Sequence, residues 1–548
     1  MKRSQPTALR SFCFSAANVP PDGTPIARIR FEPVVPVGGT LRAAAPAQLL
    51  KSSKLGPGER RPVLGTLALS AASALKLGLQ VAVLPILARI LGPSTFGLVA
   101  LAMPLILLAN LISDAGLGNA LVREREPSPA LESTVFWMSL AQSLVLAALV
   151  SGAARPLSAV MSAPELAPVI VTLSGILPLS GALSVVNARI SRERKFGLFA
   201  VVETIASIGS SGVAIGAAFL GAGAWSLVLQ QFVLWGAKAI LLTRASGFAP
   251  LLICKPSLAL PFLGFGLNSV GANLADFASK NFSTLLIGGL IGVEAAGKYS
   301  MAYQILRVPE LVISGPLYLS MFVSATRWGN DRDIAHVSAL RGFRGLVTLL
   351  APLFFGLAVV SDRAVQVLLG PAWAQTGPIL MWLAPAGFFL CVYAVMGAML
   401  LGLGRSDRQF KLIALHGSLM VIGAVIGSTR GAVGVAQGVS LATGLAAPAY
   451  IVTFARQLQI PPAQLIREAL SPVLAAGLMA AAVFLFDMKL AHTSPLLRLL
   501  ALIVSGLLAF AVALAALSWD RLQQDLQWIF GSYTKHGETV ALSQEPSP

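Results

Sequence analysis

Long apolar runs, separated by short polar connections, follow one another along the chain from residue 63 to residue 518. A helix that crosses a membrane needs about 20 mainly apolar residues, because the hydrocarbon core is ~30 Å thick. The pattern therefore predicts an all-α polytopic membrane protein with about fourteen membrane-spanning helices. The predicted segments, numbered 1 to 14 in chain order, are residues 63–90, 98–121, 134–154, 166–188, 199–219, 223–243, 262–290, 299–323, 343–361, 376–402, 410–428, 432–455, 466–486 and 496–518.

The composition agrees with lipid as the surrounding solvent. Hydrophobic residues make up 56% of the 548 residues and charged residues 11%, whereas a soluble globular protein carries about 25% charged residues. The net charge of +17 does not indicate nucleic-acid binding, because ten of the 40 Lys and Arg residues lie in residues 1–61 and most others lie between apolar runs. That distribution is typical of topology signals in membrane proteins.

The positions of the basic residues also predict the orientation of the chain. If the N-terminus is cytoplasmic and the chain crosses the membrane fourteen times, the inner connections hold seventeen Lys and Arg residues and the outer connections hold seven. Cytoplasmic connections of membrane proteins carry an excess of these residues. The bias therefore favours fourteen spans with both termini in the cytoplasm.

The two ends of the chain differ from the region between them. Residues 1–62 lack a long apolar run and do not resemble a cleavable signal peptide. We expect a disordered, basic cytoplasmic tail there, with an overextended translation start as the alternative. Residues 519–548 are expected to form a second cytoplasmic tail. Its apolar residues recur at helical spacing between Trp519 and Phe530, which indicates either a short amphipathic helix on the inner membrane surface or the frayed end of the last helix.

The chain contains an internal repeat with an offset of 200 residues. Glycine suits a tight turn between helices that requires a positive φ angle. Residues 91–102 and 291–302 share such glycines, and the corresponding residues are Gly92 and Gly292, Gly97 and Gly297, and Ala102 and Ala302. At the same offset, the strongly polar residues of segments 1 and 7 also correspond, namely Ser73 with Asn273, Lys76 with Asp276, and Gln80 with Lys280.

The repeat predicts two bundles of six helices each. The first bundle comprises residues 63–243 and the second residues 262–455, joined by a cytoplasmic linker at residues 244–261. Because six is even, the bundles share one orientation and are related by a pseudo-two-fold axis along the membrane normal. Residues 456–518 add two helices outside the repeat. An ionisable group at mid-bilayer costs at least ~2.5 kcal/mol, so the polar faces of segments 1 and 7 are expected to line a cavity between the bundles.

The motif Leu91-Gly-Pro-Ser-Thr-Phe-Gly-Leu-Val-Ala, followed by Leu111-Ile-Ser-Asp-Ala-Gly-Leu-Gly-Asn-Ala-Leu-Val122, resembles the polysaccharide-transporter branch of the multidrug/oligosaccharidyl-lipid/polysaccharide (MOP) exporter superfamily. This branch includes the flippases of lipopolysaccharide O-antigen, capsule and exopolysaccharide biosynthesis. The resemblance covers residues 63–518. It implies a flippase in the bacterial inner membrane, which moves polyprenyl-diphosphate-linked oligosaccharides outward by alternating access. Its partners would be membrane lipid, a polysaccharide polymerase and a chain-length regulator.

The resemblance gives a role to the polar residues of segments 1, 7 and 8. A diphosphate in a partly desolvated cavity needs cations, because charge-assisted hydrogen bonds are strong there. The substrate-binding residues of the cavity are expected to be Lys76, Gln80, Asn273, Asp276, Lys280 and Arg307. The alternative is that Lys280 only pairs with Asp276, and Arg307 with Glu310, within their own helices.

Coupling of transport to H⁺ or Na⁺ would require a carboxylate within the spans. The candidates are Asp276, Glu310 and Glu203. No metal site or cofactor is indicated, because the three cysteines and four histidines are dispersed along the chain.

Two rival functions fit the pattern less well. A multidrug antiporter of the same superfamily would favour an acidic cavity, whereas the expected face carries Lys76 and Lys280. A polysaccharide polymerase, which is an enzyme, would need larger outer loops than the short connections of this chain. We therefore expect a transporter rather than an enzyme.

Overall fold

The computed structural model describes the backbone of residues 57–114, 118, 121–122, 124, 127–259, 274, 277, 280–327, 332–490 and 493–542. Side chains are described between residues 78 and 518, with these gaps and a few further positions left out. Almost all of the described residues belong to the larger of two compact units, Leu64–Pro548.

Every element in this part of the chain is helical. The α-helices are α1 (Pro57–Asp114), α2 (Pro129–Val160), α3 (Leu166–Ser174), α4 (Ile176–Arg192), α5 (Phe196–Phe219), α6 (Ala224–Ser246), α7 (Val293–Pro309), α8 (Gly315–Arg327), α9 (Arg332–Leu368), α10 (Thr376–Gly402), α11 (Ser406–Ser428), α12 (Gly431–Leu458), α13 (Pro462–Lys489) and α14 (Pro495–Leu542). A π-helical turn, Glu310–Ser314, joins α7 to α8.

Twelve helical stretches of the described residues are long and apolar enough to cross a membrane. One of them, Val81–Ser113, contains the end of predicted segment 1 and most of segment 2. The two parts are separated at Gly92, where the backbone leaves the helical conformation with φ 73°. The corresponding Gly292 has φ 123°, so both turns use the positive φ angle that the repeat predicted. Residues 280–290, at the end of segment 7, are helical as well. The all-α polytopic fold is therefore confirmed.

Some helices are longer than the apolar runs that predicted them. Segment 10 matches α10 at both ends, whereas segment 9 was predicted as residues 343–361 and α9 covers Arg332–Leu368. An apolar run marks only the part of a helix in hydrocarbon, and α9 extends beyond it at both ends. The last helix, α14, bends at Ser518 and continues to Leu542. Its contact with the membrane surface stays a prediction, and residues 1–56 lie outside the described part.

The two copies of the internal repeat contact each other in space. A Cβ atom added to Gly97 would lie 2.0 Å from the carbonyl oxygen of Val293, and one added to Gly297 would lie 2.1 Å from that of Pro93. Because Val293 stands 200 residues after Pro93, the contact is reciprocal, as a two-fold axis between the bundles requires. We call this contact the glycine junction.

Side chains from both bundles reinforce the glycine junction. The indole nitrogen of Trp373, a fully buried side chain, donates a hydrogen bond of 2.9 Å to the carbonyl oxygen of Ala88. The ring of Phe96 packs edge-on against Trp373, with centroids 5.6 Å apart. Nε of Arg89 donates to the carbonyl oxygen of Leu368 at 2.9 Å. In the predicted orientation, the junction lies at the outer end of the bundles.

Helix α13 packs along α9, outside the repeat. Nη1 of Arg344 is 3.1 Å from Oε2 of Glu468, and Nη2 of Arg363 is 3.3 Å from Oδ2 of Asp487. Both pairs join residues 124 positions apart, so the two helices run parallel. The pairs are 19 residues apart on each helix, which is about 28 Å at a rise of 1.5 Å per residue. Asp487 also binds Arg498 of α14, with 2.6 Å between Oδ1 and Nε.

Candidate functional site

A cavity with a volume of about 420 Å³ lies within the first bundle. Its walls come from the second part of α1, from α4 and from α6. Uncharged polar residues and one tryptophan supply its polar and aromatic surface, namely Asn110, Ser113, Ser180, Ser184, Asn187, Ser191 and Trp235. We call this cavity the polar pocket.

The polar side of this pocket arises from the spacing of residues in α4. Residues that recur at intervals of three and four lie on one face of a helix. The polar face of α4 consists of Ser180, Ser184, Asn187 and Ser191. Leu183 and Val186, which lie between them in the sequence, are buried in the protein. Small hydroxyl and amide groups do not interrupt an apolar run, and none of these residues is charged. The charged positions within the runs therefore did not predict this face.

Two polar groups of the pocket bind each other, and two lack a partner. Oγ of Ser180 donates to Oδ1 of Asn110 at 2.6 Å, which joins α4 to α1. Oγ of Ser113 and Oδ1 of Asn187 are buried and have no hydrogen-bond partner among the described residues. A buried polar group without a hydrogen bond costs about 1–3 kcal/mol, and such groups are uncommon in native proteins. The pocket therefore offers two polar atoms that a ligand can satisfy.

An ion pair lies beside the polar pocket. Nζ of Lys238 in α6 is 2.6 Å from Oε2 of Glu203 in α5, and the two side chains are only 14% and 16% exposed. The same ammonium group lies 5.1 Å from the ring centroid of Trp235, which is within the range of a cation–π interaction. Lys238 therefore links Glu203 to the wall of the pocket. The sequence pattern singled out Glu203 but not Lys238, because no local spacing connects residues on two different helices.

Most of the residues predicted for a cavity between the bundles lie outside the description. The side chains of Lys76, Gln80, Asn273 and Asp276 are not among the described ones, so their role stays a prediction. The side chain of Lys280 is exposed and interacts with another group of the protein.

Arg307 and Glu310 lie at a change of helix type. Helix α7 ends at Pro309, and the π-helical turn begins at Glu310. No ion pair joins Arg307 and Glu310, both of which are described. Single π turns within α-helices are frequent at functional sites. Both residues therefore remain candidates for the cavity.

A second cavity, of about 260 Å³, lies in the second bundle. Apolar residues of α9, α10, α12 and α13 line it, and its aromatic members are Phe343, Phe355, Phe388, Phe389 and Tyr393. Tyr393 stacks on Tyr450, with ring centroids 3.8 Å apart. Its hydroxyl group donates to the carbonyl oxygen of Thr443 at 2.7 Å. We call this cavity the aromatic pocket.

The arrangement of helices is that of known membrane transporters. The lipid II flippase MurJ in an inward closed conformation superposes with a TM-score of 0.67 at 14% sequence identity, over 84% of this chain and 100% of that chain. An inward-facing multidrug resistance MATE family transporter of the MOP superfamily superposes with a TM-score of 0.54 at 16% identity, over 70% of this chain and 94% of that chain. The protein is thus a multi-pass membrane protein with the all-α fold of these transporters.

Sequence comparison shows the family within this class. Residues 86–378 match the family described as polysaccharide biosynthesis protein. The succinoglycan biosynthesis transport protein ExoT of Rhizobium meliloti (strain 1021) is 30% identical over 356 residues, which are 64% of this chain and 72% of ExoT. The lipopolysaccharide biosynthesis protein WzxC of Escherichia coli (strain K12) is 26% identical over 375 residues, 67% of this chain and 75% of WzxC. The chain belongs to this polysaccharide biosynthesis protein family, and the resemblance seen in residues 91–122 is confirmed.

Proposed function

We propose that the protein is a flippase for polyprenyl-diphosphate-linked oligosaccharides. It would move them from the cytoplasmic to the outer leaflet of the bacterial inner membrane, for the synthesis of surface polysaccharide or exopolysaccharide. One observation carries the proposal, which is the 30% identity to ExoT, named as a succinoglycan transport protein, over 64% of the chain. The polar pocket supports it, because a sugar can leave water only where protein groups replace its hydrogen bonds.

Alternating access requires a contact between the bundles that can close and open. The glycine junction brings two backbones together with no side chain between them. The hydrogen bonds around it, from Trp373 and Arg89, contribute only about 1 kcal/mol each. Rotation of the bundles would separate these contacts and open the outer side.

Charged residues within the spans would bind the diphosphate of the cargo and the coupling ion, and Asp276 is a candidate for both parts of the site. Lys76, Lys280 and Arg307 are proposed to bind the diphosphate, with Gln80, Asn273 and Asp276 completing the cavity. The coupling ion, H⁺ or Na⁺, is proposed to bind at one of three carboxylates, those of Asp276, Glu310 and Glu203. Protonation of Glu203 would remove the counter-ion of Lys238, which lies 2.6 Å away, and so would change the charge beside the polar pocket.

The cellular setting is part of the same proposal. The protein would reside in the inner membrane with both termini in the cytoplasm, as the excess of basic residues in the predicted inner connections indicates. A polysaccharide polymerase on the outer side would use its product, and a chain-length regulator would act with that polymerase.

The leaflet in which the lipid-linked intermediate accumulates tests this function. Deletion of the gene should stop polymer export and leave the undecaprenyl-linked oligosaccharide in the cytoplasmic leaflet, where external glycosidases cannot reach it. A plasmid copy of the wild-type gene should restore export. Accumulation of unpolymerised units in the outer leaflet would contradict the proposal and would indicate a polymerase instead.

A further inference from the structure

Among the residues that the structure describes, the lining of the polar pocket offers hydrogen bonds and carries no charged side chain. We infer that it binds an uncharged sugar ring of the cargo, with sugar hydroxyl groups on Asn187 and Ser113 and the ring against Trp235. The inference rests on the proposed function, because it takes the cargo to be an oligosaccharide. It assigns the sugar to the first bundle and leaves the diphosphate to cationic residues elsewhere.

The two unpartnered atoms select the chemistry of the ligand. Oδ1 of Asn187 only accepts hydrogen bonds, whereas Oγ of Ser113 both donates and accepts. An ionised phosphate or carboxylate also only accepts, so it would leave the Oδ1 atom of Asn187 without a hydrogen bond. A sugar hydroxyl group donates and accepts, and it matches both atoms. Because Ser113 is only 2% exposed, its partner must enter the pocket rather than touch the protein surface.

The tryptophan completes a surface suited to a sugar ring. A pyranose ring carries C–H groups on its faces and hydroxyl groups around its edge, so an indole can cover a face while polar residues bind the edge. The ammonium group of Lys238, 5.1 Å from the ring centroid of Trp235, holds the indole in place. Asn110 is held by Ser180 at 2.6 Å. Groups that are already fixed lose little freedom when a ligand binds.

The size of the polar pocket limits how much of the cargo it can hold. Its volume of about 420 Å³ falls in the range of ~300–1,000 Å³ found for small-molecule sites. That space admits part of an oligosaccharide and not a long polymer. Recognition would therefore concern individual sugar rings, in agreement with transport of short lipid-linked units before polymerisation.

Binding of two halves of the cargo to the purified full-length protein in lipid nanodiscs tests the inference. The first probe is the free oligosaccharide, released by mild acid from the lipid-linked intermediate that the deletion strain accumulates. The second probe is undecaprenyl diphosphate, which carries no sugar. Asn187→Leu and Ser113→Ala should each weaken binding of the oligosaccharide roughly tenfold. Both should leave binding of undecaprenyl diphosphate within about twofold.

Ser139→Ala is the matched control. Oγ of Ser139 is also buried without a hydrogen-bond partner among the described residues, but Ser139 does not line the pocket. This substitution should change neither affinity. If one of the two pocket variants does not fold, the other gives the same comparison with the control.

The remaining outcomes separate this inference from the proposed function. Unchanged oligosaccharide binding in both pocket variants would overturn the inference. An equal loss of both probes would also overturn it, because the pocket would then not distinguish sugar from diphosphate. If the wild-type protein binds undecaprenyl diphosphate but not the free oligosaccharide, the sugar site is excluded, while the proposed flippase function still stands. A deletion strain that accumulates no lipid-linked oligosaccharide would contradict the proposed function itself.

Discussion

The polar pocket of the first bundle and the aromatic pocket of the second are built on corresponding helices. Segments 4 and 6 contribute α4 and α6 to the first pocket, and segments 10 and 12 contribute α10 and α12 to the second. Leu166–Arg192 and Thr376–Gly402, the stretches that contain segments 4 and 10, have the same length, 27 residues. The residues of α10 that line the aromatic pocket are apolar apart from the hydroxyl group of Tyr393, namely Pro385, Phe388, Phe389, Val392, Tyr393 and Met396.

The difference shows that the same arrangement of helices can enclose two chemically different cavities. The repeat fixes the helices and their turns, as the reciprocal contact of Gly97 and Gly297 shows, while the side chains that line the two cavities differ in chemistry. In the first bundle the cavity offers hydrogen bonds. In the second bundle it offers aromatic surface and is closed by α13, including Ala469 and Val473, a helix without a counterpart in the first half. The hydrogen bonds to a sugar ring are therefore proposed for the pocket of the first bundle, and not for the aromatic pocket of the second.

The largest effect is expected from Lys238→Met, which removes the charge beside the polar pocket. Glu203 would lose the ammonium group that lies 2.6 Å from its mostly buried carboxylate, and the loss of one partner of a buried pair costs about 3–5 kcal/mol. Thermal unfolding of the purified protein measures the change. The double variant Lys238→Met/Glu203→Leu should recover most of the lost stability. A single variant as stable as wild type would show that water solvates this pair and that it does not support the pocket.

Replacement of one ring in each pocket should separate their roles. Trp235→Leu should lower polymer export about tenfold, since a ring contact and a hydrogen-bonded sugar position together exceed ~1.4 kcal/mol. Export by the Trp235→Phe variant should lie between that of Trp235→Leu and that of wild type, because an aromatic face remains. Phe389→Leu, the matched change in the aromatic pocket, should leave export per molecule of protein within about twofold. Export is measured as secreted polysaccharide against the amount of protein in the membrane.

An equal loss of export from Trp235→Leu and Phe389→Leu would remove the functional difference between the pockets. In that case the aromatic pocket would also belong to the transport path. A normal level of export from Trp235→Leu would remove the indole from the sugar site.

A smaller effect is expected from Tyr393→Phe in the aromatic pocket. The substitution deletes the hydrogen bond of 2.7 Å to the carbonyl oxygen of Thr443 but keeps the stacking on Tyr450. The protein should lose about 1 kcal/mol of stability and keep its export activity. Thermal unfolding and polysaccharide secretion, measured together, check both halves of the prediction. Lost export at unchanged stability would show that this hydroxyl group takes part in transport.

The smallest effect is expected at Asp487, near the end of α13 and away from the aromatic pocket. Arg363→Gln removes one ion pair of Asp487, but Arg498 still binds that carboxylate at 2.6 Å. The side chain of Arg363 is 34% exposed, and such pairs contribute about 0.2–1 kcal/mol. The midpoint of thermal unfolding should therefore fall by only a few degrees at most. A much larger loss would show that this pair, rather than apolar packing, holds α13 in place.

The fold was predictable because two of its causes are local. An apolar run of sufficient length determines a membrane helix, and the ends of segment 10 agree with Thr376–Gly402. Turn glycines such as Gly92 and Gly292 carry a conformational requirement that the sequence displays directly. The extent of α9 was underestimated, because its ends lie beyond the apolar run and hydropathy does not report them.

The candidate site was less predictable because its causes are not local. The contact of Glu203 with Lys238 joins two helices, and nothing in either helix alone indicates the partner. The polar face of α4 was present in the sequence as a regular spacing, but Asn187 is uncharged and the prediction depended on charged residues. Small polar residues that recur every three or four positions in a membrane helix are the signal that identifies this face.

The ion pairs Arg344–Glu468 and Arg363–Asp487 favour a bilayer of a particular hydrocarbon thickness. They lie about 28 Å apart along two parallel helices, and charged groups are least costly where water reaches them. Lipids with longer acyl chains would have to compress around α9 and α13 or tilt these helices, at a cost of fractions of a kcal/mol for each Å of mismatch. The protein should therefore prefer neighbours of matching chain length, and its rate in reconstituted vesicles should respond to acyl-chain length without any change of cargo.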